Sequence, residues 1–199
     1  MQLTTVRKPS RAEAFDLILK LASGDKLTNY DTSLLVNYFS PKLPAKAKTP
    51  FDYVAKAVNG KDIRKFLHYV HIRGGVAYAS DGYRIHYAAV DLEDGIYSTA
   101  GVPALDTDAE ADGEKIENLK PKSVGQWEDA VFDDCEQFLF EEKTWIVKVG
   151  TTPVQLKYLK PAINHQAEFR YQAIPNGILV ECEMGLAVVA EYRIPEEKR

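Results

Sequence analysis

The sequence has few of the features that mark a secreted, membrane-spanning or nucleic-acid-coating protein. It has two cysteines in 199 residues, which favours a buried thiol at Cys182 over a disulfide and indicates a reduced compartment. No apolar run approaches the roughly 18 residues of a membrane span, and no signal peptide opens the chain. The net charge of −4 argues against coating nucleic acid by bulk charge, although a local basic face is compatible with it. We therefore expect a soluble, cytoplasmic protein that makes no membrane contact.

Catalytic and metal-binding motifs are also missing. The sequence contains no Gly-x-Ser-x-Gly elbow and no glycine-rich phosphate loop, and neither cysteine has a histidine at a motif spacing. His68 and His71 are predicted to lie on a strand, where residues three apart point to opposite faces and cannot easily share a metal ion. We expect no enzymatic activity, no cofactor and no metal, while catalytic groups that converge from distant positions stay an open alternative.

The sequence does contain an internal repeat. Thr49-Pro50 predicts a helix start, because threonine caps free amides and proline suits the first helical position; Thr152-Pro153 opens the same series. Aligning Gly75 with Gly177 gives an offset of 177 − 75 = 102. The predicted strands are Leu67–Ile72, a run from Val76 and Ile85–Val90 in the first half, then Phe169–Ile174, Ile178–Met184 and Leu186–Arg193 in the second. A chance alignment of two helix-plus-meander units is the alternative.

Other zones flank and separate the two halves. Residues 1–48 are interpreted as a helical extension and basic linker, with a capping box at Ser10, a helix that stops at Gly24 and a second helix over Asp31–Phe39. Residues 101–139 are acidic and lack the spacing of a calcium loop, so we interpret them as a solvated, mobile connection. The predicted class is α+β, with two pseudo-repeated helix-plus-antiparallel-strand halves, 49–100 and 140–194, in a domain spanning 49–199.

The stretch from Asp62 to Ala88 resembles a known family. In the middle domain of the bacterial sliding clamp, the β subunit of the replicative DNA polymerase, a strand beginning with Arg, two aromatics and Leu leads through a hairpin to an Ala-Thr-Asp-Gly-His-Arg-Leu loop. Arg64, Phe66 and Leu67 match that strand, and ASDGYRI at Ala79–Ile85 matches the loop with three substitutions. The final strand, Val188–Ile194, is similar to the family's Val-Val-Met-Pro-Met-Arg-Leu.

This resemblance implies a DNA-clamp-like domain and a processivity factor, phage-encoded, that tethers a DNA polymerase or another clamp-binding protein to double-stranded DNA as a homo-oligomer. Closed rings in the family carry six domains, so one domain per chain implies a hexamer. It also implies a partner-peptide pocket with Leu67 and Ile85 as its apolar floor and a largely exposed Arg84 that fixes the partner's register. The expected pocket residues are Leu67, Ser80, Gly82, Tyr83, Arg84, Ile85, Val188 and Ala190. The expected DNA-facing residues are Lys56, Lys157 and Lys160, for which ordinary solvated lysines are the alternative.

Two departures separate the chain from that family. Ala190, Glu191 and Tyr192 replace the Met-Pro-Met that helps to wall the family's pocket, and the chain is too short for three clamp domains. The alternative function is therefore a non-encircling binding module of clamp fold that regulates replication or transcription through a protein partner. For the loop itself, the alternative is a plain hairpin whose Arg84 makes a surface ion pair.

Overall fold

A computed structural model of the chain describes residues 10–28, 31, 35, 45–106, 108–109, 126–140 and 144–193. The chain divides into two compact units, Met1–Lys42 and Leu43–Arg199. In the first unit, α1 (Arg11–Ala22) begins at the predicted capping box, where Ser10 Oγ accepts from the Glu13 amide and the Glu13 carboxylate accepts from the Ser10 amide. The helix predicted over Asp31–Phe39 lies largely outside the described residues.

The described part of the second unit combines short helices with many strands. Its α-helices are α2 (Pro50–Ala55) and α3 (Leu156–Ala162), and its 3₁₀ helices are Lys65–His68 and Phe132–Asp134. The strands are β1 (Val70–Arg73), β2 (Val76–Ser80), β3 (Arg84–Ala89), β4 (Gly95–Tyr97), β5 (Pro103–Ala104), β6 (Glu128–Val131), β7 (Glu136–Phe140), β8 (Thr144–Val149), β9 (Thr152–Gln155), β10 (Glu168–Ile174), β11 (Gly177–Cys182) and β12 (Gly185–Ala190). Among the described residues, no helix is long and apolar enough to span a bilayer.

Two antiparallel sheets organise these strands. Nine strands follow the order β5-β4-β1-β2-β3-β12-β11-β10-β6, and three form a separate sheet in the order β7-β8-β9. At the centre of the large sheet β3 pairs with β12, with Ile85 opposite Val188. This pairing, the seam, joins β1–β3 of the first half to β10–β12 of the second. The predicted α+β architecture of two helix-plus-strand halves is confirmed.

The two α-helices of the second unit, α2 and α3, pack on one face of the large sheet. Tyr53 of α2 donates its hydroxyl to the carbonyl of Ala162 in α3 at 2.7 Å, so the two helices are adjacent. Alternate strand residues share a buried cluster with them, including Ala88 of β3 and Val189 of β12. The opposite face holds a second, smaller cluster formed by Leu67, Tyr78, Ile85 and Tyr87. The sheet is therefore covered by apolar side chains on both faces near the seam.

The first helix start was predicted correctly and the second was not. Thr49 Oγ1 accepts from the Asp52 amide at 3.0 Å, and Pro50 is the first helical residue. Thr152 and Pro153 instead belong to β9, and α3 begins at Leu156. Strand β9 is one of the two outer strands of the three-stranded sheet. An outer strand tolerates proline because its missing N–H need not serve a ladder.

Two other local features differ from what the sequence patterns indicated. Leu67 lies in a 3₁₀ helix rather than on a strand, because the Asn59 amide donates to the Leu67 carbonyl and closes a loop before β1 begins at Val70. The stretch 101–139, interpreted as a mobile connection, contains β5, β6 and β7 in its described part. Strand β6 pairs with β10 at the outer edge of the large sheet, where exposed acidic residues are tolerated and no apolar alternation is needed.

Candidate partner-binding site

A cavity of about 230 Å³ lies where the two halves meet at the seam. Elements from both halves form it. The 3₁₀ helix Lys65–His68, the β2–β3 loop and the start of β3 lie on one side, and the β10–β11 hairpin and the end of β12 lie on the other. All eight residues expected to form a pocket line it. The complete lining is Arg64, Phe66, Leu67, Ser80, Gly82, Tyr83, Arg84, Ile85, Ile174, Pro175, Asn176, Val188 and Ala190.

The floor of this cavity is apolar and firmly packed. Leu67 is 2% exposed and Ile85 8%, and both belong to the small cluster on the face opposite the helices. Phe66 and Val188 pack against that cluster and remain partly exposed. The floor therefore offers apolar contact area, and its close packing keeps the shape of the cavity fixed.

The β2–β3 loop, Asp81–Tyr83, is held by its own polar side chains. The Asp81 carboxylate accepts from the amides of Tyr83 at 3.0 Å and Arg84 at 3.1 Å. Ser80 Oγ accepts from the Gly82 amide at 3.0 Å and donates to the Arg84 carbonyl at 2.9 Å. Gly82 has φ of +88°, which favours glycine, and a Cβ there would lie 2.9 Å from Arg64 Nη2. The loop is therefore fixed by hydrogen bonds within the chain.

Arg84 is not the exposed cation that the sequence interpretation expected. Its side chain is 8% exposed, and its Nε donates to Asp81 Oδ2 at 3.0 Å. Nη2 donates to the carbonyl of Lys56 at the end of α2, and the guanidinium carbon lies 5.7 Å from the ring centroid of Tyr158 in α3. Burial lowers the pKa of Arg84, and Asp81 opposes that shift. Arg84 therefore contributes to the wall while its charged end ties the loop to both helices.

Sequence reasoning missed five residues of the lining. Arg64 was part of the recognised motif; its Nε and Nη2 donate to Asp62 at 2.8 and 2.9 Å, and these bonds hold the pKa of Asp62 well below its usual range. Phe66 belonged to the same motif. Ile174, Pro175 and Asn176 form the tip of the β10–β11 hairpin, and the Asn176 carbonyl accepts from the Glu191 amide at 2.8 Å. The β3–β12 pairing brings that tip to the cavity, and no local pattern indicated this pairing.

Tyr83 separates this cavity from a second one of about 360 Å³. Its ring is stacked on Tyr158, with centroids 5.2 Å apart and planes 11° apart, while the residue remains 57% exposed. The Tyr83 carbonyl accepts from the Ala190 amide at 2.9 Å, and this bond fixes the two residues that line both cavities. The second cavity is lined by Tyr83, Gln155, Tyr158, Ala190, Glu191, Tyr192 and Arg193.

The three lysines expected to face DNA have different surroundings. Lys56 follows α2 and donates from Nζ to the carbonyl of Ala45, and partial burial lowers its pKa. The Lys160 ammonium lies 3.1 Å from the ring centroid of Phe132, and burial lowers its pKa as well. Lys157 is exposed, with Nζ 4.6 Å from the ring centroid of Tyr158. Of the three, Lys157 alone is exposed, and Lys56 and Lys160 are half-buried.

Two histidines and both cysteines lie outside the lining of these cavities. His68 and His71 bond through Nε2 to the carbonyls of Asp62 and Phe66. Cys135 and Cys182 are free thiols whose pKa values are raised by burial. In the described part of the chain, no group of three or more His, Cys, Asp or Glu side chains is placed to hold a metal ion.

A larger cavity of about 610 Å³ lies along β10 and β6. Carboxylates of Asp129, Glu168 and Glu181 line it together with Arg170. Arg170 Nη1 donates to Glu181 at 2.8 Å, so the arginine that lines this cavity is already paired on a solvated surface. We place the candidate site at the smaller cavity, because residues from two distant motifs converge there.

Comparison with known proteins gives a likeness in fold. The sequence matches no protein-family model, and no curated protein at a significant level. Among solved structures, the chain is similar to the DNA polymerase sliding clamp from Pseudomonas aeruginosa, with a TM-score of 0.49 and 13% identity, covering 85% of this chain and 71% of that chain. For the DNA polymerase III subunit β from the same organism the TM-score is 0.46 and the identity 12%, covering 75% and 65%. Similarity of this degree concerns the fold alone, so the chain's own residues carry the functional interpretation.

Proposed function

We propose that this protein is a sliding-clamp-like processivity factor that holds a DNA polymerase on duplex DNA. The cavity at the seam takes a segment of the polymerase or of another clamp-binding protein, and the chain assembles into a homo-oligomer around the duplex. One observation carries the proposal. Eight residues chosen from two motifs about a hundred positions apart line a single cavity.

The geometry of the cavity suits a peptide anchor. At about 230 Å³ it is smaller than the roughly 300–1,000 Å³ of pockets that enclose a small molecule, so one or two side chains fill it. Burying one apolar side chain over Leu67 and Ile85 contributes about 1.5–3 kcal/mol. The fixed Asp81–Tyr83 loop limits the ordering that binding has to impose, which favours affinity.

The altered end of β12 supports a partner segment different from that of ordinary clamps. Ala190 lines the cavity as a small residue, whereas Tyr192 packs its ring against Phe140 with centroids 5.6 Å apart. Glu191 forms a bridge with Val154 of β9. This terminal stretch is therefore tied to the three-stranded sheet, and Tyr83 is the large side chain that stays available at the rim.

Tyr83→Ala tests the pocket with little cost to the fold, because Tyr83 is largely exposed. We expect primer extension by the polymerase of the same organism, on a primed circular template with this protein added, to give shorter products with the variant than with the parent. Partner binding should weaken on the order of tenfold. Val102→Ala is the matched control, since Val102 is 59% exposed and lies next to β5, at the edge of the large sheet and away from the seam. Equal product lengths for parent and Tyr83→Ala would remove the pocket from the proposal.

The encircling mechanism makes a separate demand on assembly. One two-half domain in each chain requires six copies to supply six domains, so we expect a hexamer by mass measurement, stabilised by circular duplex. A monomer at every reachable concentration, with and without DNA, would rule out a ring. It would leave the partner pocket untouched.

A second function is favoured by the surroundings of two lysines. Because Lys56 donates to a carbonyl and Lys160 lies against an aromatic ring, both ammonium groups are partly engaged within the fold and are less accessible to phosphates than an exposed lysine. A non-encircling module that regulates replication or transcription through a protein partner needs no such charge. Tyr83-dependent partner binding without any effect on polymerase run length or any salt-sensitive binding to closed circular duplex would favour the module.

A further inference from the structure

The segment Ala45–Lys48, which we call the strap, is a fixed part of the helix-bearing face rather than a loose linker. Ala47 is 4% exposed, and its amide donates to Asn164 Oδ1 at 2.8 Å while its carbonyl accepts from Asn164 Nδ2 at 3.4 Å. Asn164 is fully buried and lies in the turn after α3. The strap precedes α2 in the chain and is tied to the end of α3, so it joins the two halves on the face where both helices pack.

The strap presents its two lysines outward. Lys46 and Lys48 flank the buried Ala47 and are both exposed, as alternate residues of an extended segment are. Lys56 reaches the strap from the end of α2 through its bond to the Ala45 carbonyl. A cavity of about 330 Å³ brings these three lysines together with Asp52. The lining of this cavity therefore carries three lysines and one carboxylate, in a protein whose net charge is −4.

The two strap lysines differ in their freedom. Lys46 Nζ pairs with Glu183 at 3.0 Å, across two exposed side chains. Among the described residues, Lys48 has no carboxylate partner. Asp52 lines the same cavity and lies in the first turn of α2. Of the three lysines that line this cavity, Lys48 thus offers the least compensated charge.

We propose that the strap contacts the phosphate backbone of duplex DNA, with Lys48 as its main contact and Lys46 as its second. The proposal rests on the proposed function and names residues of the DNA surface that the sequence interpretation had assigned to a linker. Lysines held on a fixed segment neutralise phosphates without reading bases, which is the contact that a protein moving along DNA needs. Lys157 is exposed on α3, which packs on the same face of the sheet.

The test measures binding to a closed circular duplex at several salt concentrations, using the full chain in its assembled state. Loss of one phosphate contact lowers the slope of log K against log salt by about 0.9. We expect that change for Lys48→Gln and about twice that change for the double variant Lys46→Gln, Lys48→Gln, while Lys48→Arg keeps the parental slope. Lys61→Gln is the matched control, since Lys61 is exposed and lies outside the strap and its cavity.

The outcomes separate this inference from the function on which it rests. If the parent binds duplex and Lys48→Gln binds with an unchanged slope, the strap is not the contact surface, and the clamp proposal stands. If Lys61→Gln lowers the slope as much as Lys48→Gln, bulk charge explains the effect and the inference fails. If the parent itself shows no salt-sensitive binding, both fall together. Because Lys48 is exposed, circular dichroism of its variant should match that of the parent.

Discussion

Replacing Arg84 with methionine should destabilise the protein strongly, although the sequence pattern indicated an exposed side chain. The guanidinium makes two charge-assisted hydrogen bonds, to Asp81 and to the Lys56 carbonyl, and each such bond contributes about 1.5–3 kcal/mol. Removing one partner of a buried ion pair costs about 3–5 kcal/mol. The Asp81 side chain is 14% exposed, so its charge would stay largely buried.

Two features place the cost at the lower end of that range. The Asp81 carboxylate keeps two backbone amide donors after the substitution. Arg84 Nη1 is buried without a hydrogen-bond partner, and the variant removes that unsatisfied group. We therefore expect Arg84→Met to lower the free energy of unfolding by about 3 kcal/mol.

Urea unfolding followed by circular dichroism measures this change directly. The matched control is Arg170→Met, because the Arg170 side chain is 51% exposed and its surface pair with Glu181 should contribute no more than about 1 kcal/mol. If Arg84→Met costs no more than this control, the burial and bonding of Arg84 have been misjudged. Arg84→Lys should fall between methionine and the parent, since lysine keeps the charge and loses the planar fork.

Two further predictions concern the fold. His86 is fully buried, with Nδ1 2.7 Å from the Tyr53 carbonyl, and burial together with Arg84 lowers its pKa well below the usual range. Keeping His86 neutral therefore contributes to the free energy of unfolding above about pH 6.5, and this contribution is lost at about 1.4 kcal/mol per pH unit as the pH falls. Urea unfolding at pH 7, 6 and 5 should show a free energy of unfolding that falls less steeply with decreasing pH for His86→Gln than for the parent. Gly185→Ala should cost several kcal/mol, because its φ is +153° and a Cβ would lie 2.1 Å from the Tyr87 carbonyl; Gly60→Ala, with open space around it, should change the melting temperature little, and equal melting temperatures would contradict the close approach.

Much of the fold could be predicted because its signals are local. In strand β10 the alternation of apolar and polar residues reflects one buried face from Glu168 to Tyr171, and it breaks at Gln172, which is buried, and Ala173, which is exposed. The pair Gly74-Gly75 has φ of +57° and +74°. Glycine adopts positive φ readily, which is why this pair predicted a turn. The capping box at Ser10 likewise depends on residues three apart. Such patterns need no knowledge of the rest of the chain.

The remaining features depend on distant parts of the chain. The burial of Arg84 results from α2 and α3 meeting above it, and an arginine after a tight turn carries no mark of that surrounding. Strand β6 is recognised by its pairing with β10, because the acidic residues of Glu128–Val131 show no apolar alternation. The tip at Pro175 reaches the cavity through the pairing of β3 with β12. Sequence patterns indicated which residues matter and left open which of them meet.

The seam that joins the two halves also builds the candidate site. Val188 lies opposite Ile85 in the β12–β3 ladder, so one pairing both completes the sheet and closes the cavity floor. Arg84 follows the loop that forms the rim and bonds to the end of α2 on the helix face, where Lys56 also reaches the strap. A partner that fills the cavity therefore contacts Arg84, and Arg84 is linked through Lys56 to the surface proposed for DNA. Since a ligand bound to the native state stabilises it, partner binding should raise the stability of the seam and of the strap together.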